Sequence, residues 1–418
     1  MSYFLLQNVV YNNQIYKHIN NDVFNSLKKS STQPNDSIKI NKTLYKYLST
    51  IKDQIDNRIE QWDKYKKNTN PYEYIHTLIP NTKYSVSTLK PISRSFFKMI
   101  EICNTFKLLD ELPSSGINSF HLAEGPGGFI EAIIHMRQNP NDKCYGMTLI
   151  DDNNYSVPGW KKSKYFLLNN HNVTIEHGIE KDGDLTKAEN LKYCFEKYKD
   201  SMNIITGDGG FDFSLQYPNQ EQISAKLIFC QIAFSISMQK IGGTFILKMY
   251  DIFTQISIDF LYLLSNLYES VYIIKPNTSR FANSEKYIVC KNFRCTNVNE
   301  YVNIFYNIFK TFEHGKNDNV TTSLFNINIP YIFTSKLEEI NAILGQQQID
   351  TIVTTIYLID NTNTNNKNEK IESMKKKNIQ KSIHWCQKNN IPYNNIQNIN
   401  SITNNIFLSN TTTTNNIL

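Results

Sequence analysis

Glycine is scarce in this sequence, with 15 residues among 418. Cysteine is sparse and shows no pairing pattern. The seven residues are Cys103, Cys144, Cys194, Cys230, Cys290, Cys295 and Cys386. Their number is odd and no CxxC pair occurs, so no zinc spacing and no disulfide framework emerges. Reduced thiols and no metal are expected. No apolar run reaches the ~20 residues needed to span a bilayer. The start, MSYFLLQNVVYNNQ, lacks the basic region and long apolar core of a signal peptide. An intracellular soluble protein without a membrane partner is expected, in the nucleus or cytoplasm, or in a virus factory or virion were the source viral. No internal repeat is visible.

What is present is a chain long enough for one large domain or two smaller ones, 40% hydrophobic and 20% charged. The formal net charge is +6. Such a mild excess is compatible with a polyanionic partner but does not require one. Residues 1–64 read as a mainly helical extension. Leu48, Ile51, Ile55 and Ile59 recur at helical spacing, and Pro71 breaks the pattern that follows.

From about residue 91 apolar strands alternate with helices. SRSFFKMIEICNTFKLL reads as a helix and INSFHLAE as a strand. FIEAIIHMRQ, ENLKYCFEKYK, ISAKLIFCQIAFSISMQK and ISIDFLYLLSNLY read as helices. CYGMTLI, MNIITGD, GGTFILKMY, SVYIIKP and SEKYIVCKNF read as strands. This alternation predicts an α/β domain, a mostly parallel twisted sheet with helices on both faces. The domain is placed at 65–298, with a C-terminal extension at 299–360. Residues 361–418 are Asn-rich and polar and read as a linker or tail, partly disordered, with a short helix around KSIHWCQKNNIPY.

Three of the few glycines cluster between a strand and a helix, in HLAEGPGGFIEAI. Glycine lets a backbone approach a ligand, and a helix N-terminus offers free N–H groups. Yet Gly125-Pro126-Gly127-Gly128-Phe129 is neither GxGxxG nor GxxxxGK[ST]. Position 144, ~20 residues on, where an acid would hold a ribose, is Cys, and Asp151 and Asp152 lie after the next strand. A nicotinamide oxidoreductase therefore lacks its fingerprint, and a plain tight turn stays open. Lys248 lies inside the apolar run FILKMYD, where an unpaired ammonium is costly. Asp208 follows a strand in GDGGFDFS, Glu285 opens another in NSEKYIVCK, and Lys98 follows Arg94 by one helical turn. Each has a bland reading: a turn cap, a surface charge, a solvated helix residue. Together they supply two lysines and two acids at strand ends, where open α/β sheets bind ligands.

The order Lys98, GPGGF, Asp208, Lys248, Glu285 resembles the FtsJ-like RNA 2′-O-methyltransferases and their K-D-K-E tetrad. GDLTKAEN, GDGGFDFS, GGTFILKMYDIFT and KPNTSRFANSEKYIVCK are similar to the cap-specific mRNA enzymes of eukaryotes and their viruses. The likeness covers roughly residues 65–295. Glu124 departs from the common pattern and resembles the branch acting on the second cap nucleotide. The resemblance implies a Rossmann-like class I methyltransferase fold, S-adenosyl-L-methionine as donor and capped mRNA as partner, with other capping or transcription proteins as further partners. It implies methylation of the ribose 2′-OH of the first transcribed nucleotide, with Lys248 as general base and Lys98, Asp208 and Glu285 completing the tetrad. A base at Lys248 needs its pKa lowered by burial and nearby positive charge. The resemblance puts the donor at Ser93, Arg94, Gly125, Pro126, Gly127, Gly128, Phe129 and Asp184. It puts RNA at Pro218, Asn219, Gln220, Glu221 and Asn283. The alternatives are action on the second cap nucleotide, action on ribosomal or transfer RNA, and a non-catalytic RNA-binding subunit that keeps the fold.

Overall fold

The computed structural model describes residues 3–6, 9–24, 38–151, 153–154, 157–210, 220–314, 323–361 and 364–394. The chain divides into two compact units. One comprises Met1–Thr69 with Pro91–Thr362, the other Asn70–Lys90 with Asn363–Leu418.

The larger unit is built on strands β1 (Tyr3–Leu5), β2 (Asn118–Leu122), β3 (Lys143–Met147), β4 (Val173–Ile175), β5 (Met202–Gly207), β6 (Gln239–Met249), β7 (Tyr268–Ile274) and β8 (Lys286–Phe293). They form one sheet in the order β1-β7-β8-β6-β5-β2-β3-β4. Strands β2 to β6 pair in parallel. Strand β8 is antiparallel to both β6 and β7, and β1 closes the edge antiparallel to β7. The order, with one reversed strand between β6 and β7, is that of the Rossmann-like class I methyltransferase fold. Consecutive residues Ile204 and Ile205 on β5, and Phe245, Ile246 and Leu247 on β6, are wholly buried. Both faces of the sheet are therefore covered, as a parallel sheet requires.

The covering helices are α3 (Ser95–Phe106), α4 (Gly128–Arg137), α5 (Lys164–Asn169), α6 (Ala188–Tyr198), α7 (Gln220–Met238), α8 (Gln255–Leu267) and α9 (Val298–His314). Helix α3 packs on α4, while α6, α7 and α9 pack on one another. Helix α7 is buried on every side from Ile228 to Met238, which is why its apolar residues follow no single stripe. The N-terminal extension forms α1 (Lys42–Asp56) and α2 (Ile59–Thr69). Leu48, Ile51 and Ile55 face inward, while Ile59 is exposed at the start of α2. They meet Ile349, Ile352 and Ile356 of the 30-residue helix α10 (Tyr331–Asp360).

The smaller unit corrects the reading of 361–418 as a linker or tail. Residues Thr364–Lys388 form a long helix, α11, packed against the turn Glu73–Ile75. Trp385, Cys386 and Ile391 are buried, and Ser87 bridges to Tyr393. The helix escaped notice because much of its buried stripe is polar: Lys375, Asn378 and Ser382 lie beside Ile379. Residues 395–418 lie outside the described residues.

Glu221, one of the residues the resemblance gave to RNA, has another task here. Its buried carboxylate accepts the backbone N–H of Phe253 (3.0 Å) and Thr254 (2.9 Å) and the Thr254 hydroxyl (2.7 Å). These groups precede α8, whose N-terminal N–H groups need an acceptor and favour negative charge. Glu221→Ala is expected to lower stability by about 2–3 kcal/mol by leaving buried donors unpaired, with Glu221→Gln losing less. Denaturant midpoints check this, and an unchanged midpoint in Glu221→Ala would refute it.

Candidate active site

Strand order reverses between β2 and β5, because β2 leads outward to β3 while β5 leads the other way to β6. Ligands of open α/β sheets bind at such a switch, beyond the carboxyl ends of the strands. The four tetrad residues converge there. Asp208 follows β5, and its N–H donates to the carbonyl of Leu122 at the end of β2 (3.3 Å). Lys248 is the second-last residue of β6 and lies directly opposite Tyr287 of β8. Opposed residues share a face. The Lys248 ammonium reaches the Asp208 carboxylate (3.2 Å) and donates to its carbonyl (2.6 Å). The Tyr287 hydroxyl donates to the same carboxylate oxygen (2.9 Å). Glu285, two residues before Tyr287, takes Lys98 of α3 at 2.7 Å. Lys98 lies within 3.4 Å of the Tyr287 hydroxyl, joining the two ion pairs through one phenol.

The charges in this cluster are not equivalent. Burial pulls Lys98 below its ordinary value, and the nearby positive charges of Arg94 and Lys248 add to that, against the upward pull of Glu285 and Asp208. Burial would raise Glu285, but Lys98 and Lys248 outweigh it and hold its carboxyl well below the usual range. Lys248 departs from the sequence-based expectation. Burial does pull it down, but Asp208, Tyr250 and Glu285 together push it above the ordinary lysine value. A buried lysine facing two carboxylates stays charged, because Coulomb attraction grows as water is excluded.

Glu285 is itself held from behind. Ser279 donates to its carboxylate, and Lys275 donates to its carbonyl (2.7 Å) and to the Asn283 side chain (2.7 Å). The loop carrying Ser279 is fixed by Glu101, one turn beyond Lys98, which accepts the N–H groups of Asn277 (2.8 Å) and Thr278 (3.0 Å). Arg94 donates to the carbonyl of Thr278 (2.9 Å). Lys275, Ser279, Glu101 and Tyr287 were missed in the sequence. The signal available for Tyr287 was its i+2 spacing from Glu285 in the predicted strand SEKYIVCKNF, which would place both on one face.

The glycine turn lies beside this cluster. A Cβ on Gly125 would strike the carbonyl of Gly159, and one on Gly128 would strike the Ser93 and Ser95 hydroxyls. Gly127 has φ +105° and lies against Trp160, whose indole Nε1 is buried without a partner among the described residues. The glycines thus let the turn pack closely against residues 93–95 and 159, with an idle donor at its side. Phe129 is wholly buried against the Tyr287 ring, 5.8 Å between centroids. Asp184, half-buried, accepts the N–H and hydroxyl of Thr186 (both 2.8 Å), and only glycine fits at neighbouring position 183, because a Cβ there would strike the Thr148 carbonyl. Gln220 accepts the Ser284 hydroxyl (2.6 Å). Pro218 and Asn219 lie outside the described residues. Among the described residues no cluster of His, Cys, Asp and Glu could hold a metal, and no helix is long and apolar enough to cross a membrane.

Residues 91–293 match the FtsJ-like methyltransferase family. This FtsJ-like segment runs from just before α3 to the end of β8 and contains the whole cluster. Two similar curated relatives are cap-specific mRNA (nucleoside-2'-O-)-methyltransferases 1. That of Mus musculus is 34% identical over 220 residues, 49% of this chain and 26% of that protein. That of Homo sapiens is 36% identical over 176 residues, 41% of this chain and 21% of that protein. The chain thus spans about a quarter of the length of these relatives. Among solved structures, a ribosomal RNA methyltransferase of Plasmodium falciparum aligns with 48% of this chain and 97% of its own, at 23% identity and a TM-score of 0.34.

Glu124, the departure in the FtsJ-like glycine motif, is fully buried. Its carboxylate accepts the N–H groups of Phe129 and Ile130 at the start of α4, and its other oxygen lies 3.1 Å from His121 Nδ1. Burial would lower the His121 imidazole, but bonding to Cys144 and Glu124 and the Glu124 charge raise it to about 9. Burial raises the Glu124 carboxyl, against the pull of His121. An imidazole raised above its unfolded value of about 6.5 stabilises the fold fully below that pH. The contribution fades as pH rises and is lost above about 9. Denaturation between pH 6 and 9.5 is expected to show a loss of stability that His121→Gln does not share. Parallel profiles for the two proteins would contradict the pairing.

Proposed function

We propose that this chain is an S-adenosylmethionine-dependent 2′-O-methyltransferase of capped mRNA, acting on the first transcribed nucleotide. The observation that carries the reading is the convergence of Lys98, Asp208, Lys248 and Glu285, with every tetrad position filled, at the sheet's switch point beside the glycine turn. The likeness to cap-specific relatives supports the capped substrate.

A ribose hydroxyl is a weak nucleophile and needs a positioned base and alignment with the methyl carbon. When bound, S-adenosylmethionine supplies an electrophilic methyl on a positively charged sulfur, and that charge opposes Asp208 in the field at Lys248. Gly125, Pro126, Gly127 and Gly128 would hold it, with Ser93, Arg94 and Asp184 at its margins. Lys248 starts as an ammonium fixed by Asp208. It serves as base once the ammonium has given its proton to solvent water; the neutral amine, oriented by Asp208 while Tyr287 fixes Asp208, then takes the proton of the ribose 2′-OH. Lys98 and Glu285 hold the ribose, and the like charge of Lys98 eases deprotonation of Lys248. Asn283 and Gln220 border the acceptor side. The His121–Glu124 pair fills the positive end of α4, so a pyrophosphate has no vacant helix terminus there. A nicotinamide dinucleotide thus has neither its motif nor its anion site.

Lys248→Ala is expected to cut transfer by about 10²–10⁴-fold while binding of S-adenosylhomocysteine stays within a few-fold. Activity near wild type would remove Lys248 from the mechanism. The substrate is tested with labelled donor and oligomers ending in a 7-methylguanosine cap or a triphosphate, with nuclease mapping of the methylated position. Preference for the cap and methyl at the first nucleotide is expected. Equal rates on both would favour internal RNA, and methyl at the second nucleotide would favour the branch that Glu124 resembles.

A further inference from the structure

The chain's net charge is not shared between its units. The smaller unit, Asn70–Lys90 with Asn363–Leu418, holds nine lysines, three glutamates and no arginine. That is the whole of the formal excess of +6, and the larger unit, with 35 groups of each sign, is neutral. The unit with the candidate active site therefore has no net charge to draw in a polyanion.

Seven of those nine lysines lie on α11. At ~100° per residue, Lys370, Lys377, Lys381 and Lys388 fall within ~40° of one line along the helix, over about 27 Å. All four are exposed. Glu369 and Glu372 project ~100° and ~160° away from that line, and Glu372 instead lies 3.5 Å from Lys375. The apolar stripe of Ile379, Trp385 and Cys386 is buried within the unit.

We infer that this lysine row is an RNA-backbone binding surface. The inference rests on the proposed RNA substrate. A row of exposed cations without interposed carboxylates suits evenly spaced phosphates. A membrane surface fits less well, because interfacial helices insert an apolar face and that of α11 is occupied. A protein partner fits less well too, because protein interfaces centre on aromatic or apolar anchors and the row has none. Three stretches of chain tie the units together, at 69–70, 90–91 and 362–363. RNA held by one is thus concentrated near the other.

The test uses the full chain and its triple variant Lys377→Gln, Lys381→Gln, Lys388→Gln, with a fluorescent capped 25-mer RNA in a salt series. The variant is expected to bind the 25-mer about tenfold more weakly at ~0.1 M salt. Its log–log salt slope should be shallower by about 2, near 0.7 per lost phosphate contact on a single strand. Melting temperature and affinity for a cap dinucleotide should not change. Unchanged 25-mer affinity and slope would overturn the inference, as would a loss seen only with phosphatidylserine vesicles or polyglutamate and not with RNA. The readout is binding, so its outcome stands apart from that of the proposed function. A wild-type chain that methylates no RNA sinks the function, whereas a methylating wild type with a variant that binds RNA equally well sinks only the lysine row.

Discussion

Asp208 receives both the Lys248 ammonium and the Tyr287 hydroxyl on one carboxylate oxygen. The rest of the site depends on that shared acceptor. An ammonium at 12% side-chain exposure cannot stay charged alone, since moving an ion out of water costs several kcal/mol. The sheet supplies the remedy through register. Parallel pairing of β5 with β6 brings Asp208 beside Lys248, and antiparallel pairing of β6 with β8 sets Tyr287 across from it. Glu285 and Lys98 then repeat the arrangement one step outward. Removing one partner leaves an unpaired buried charge, so the group is fixed as a unit.

The glycine turn solves a different problem on the same sheet edge. Its backbone must pass close to Gly159, Ser93 and Ser95, which leaves no room for side chains. The positive end of the following helix could attract any anion. Glu124 occupies it from inside, balanced by His121. What remains is a tight backbone turn whose helix terminus is already occupied by a carboxylate.

Much of this was legible in the residues. A lysine among apolar strand residues stands out, and so does a glycine cluster in a glycine-poor chain. The parallel sheet followed from the alternation of apolar strands and helices. Tyr287 was hidden because 25 tyrosines dilute any single one. Strand β1 is only three residues long and its partner is distant in sequence, with Tyr3 opposite Ile274, so no local pattern marks it. Helix α11 was concealed by its polar buried stripe and Asn-rich surroundings. Glu221 was read through its neighbours in YPNQE, yet its partners lie 32 and 33 residues away in sequence. The charge state of Lys248 was misjudged because burial was weighed without the distance to Asp208, which only the register provides.

The central claim is that carboxylates hold Lys248 charged in the free protein and that its proton must be released for it to act. The direct measurement is a pH titration of the Lys248 side chain by NMR, using ¹³C-labelled lysine assigned through Lys248→Arg. The account predicts no titration of Lys248 up to about pH 10.5, its ordinary value, in the free protein, and a lower midpoint when S-adenosylmethionine is bound. A free-protein midpoint below that of an exposed lysine would contradict it.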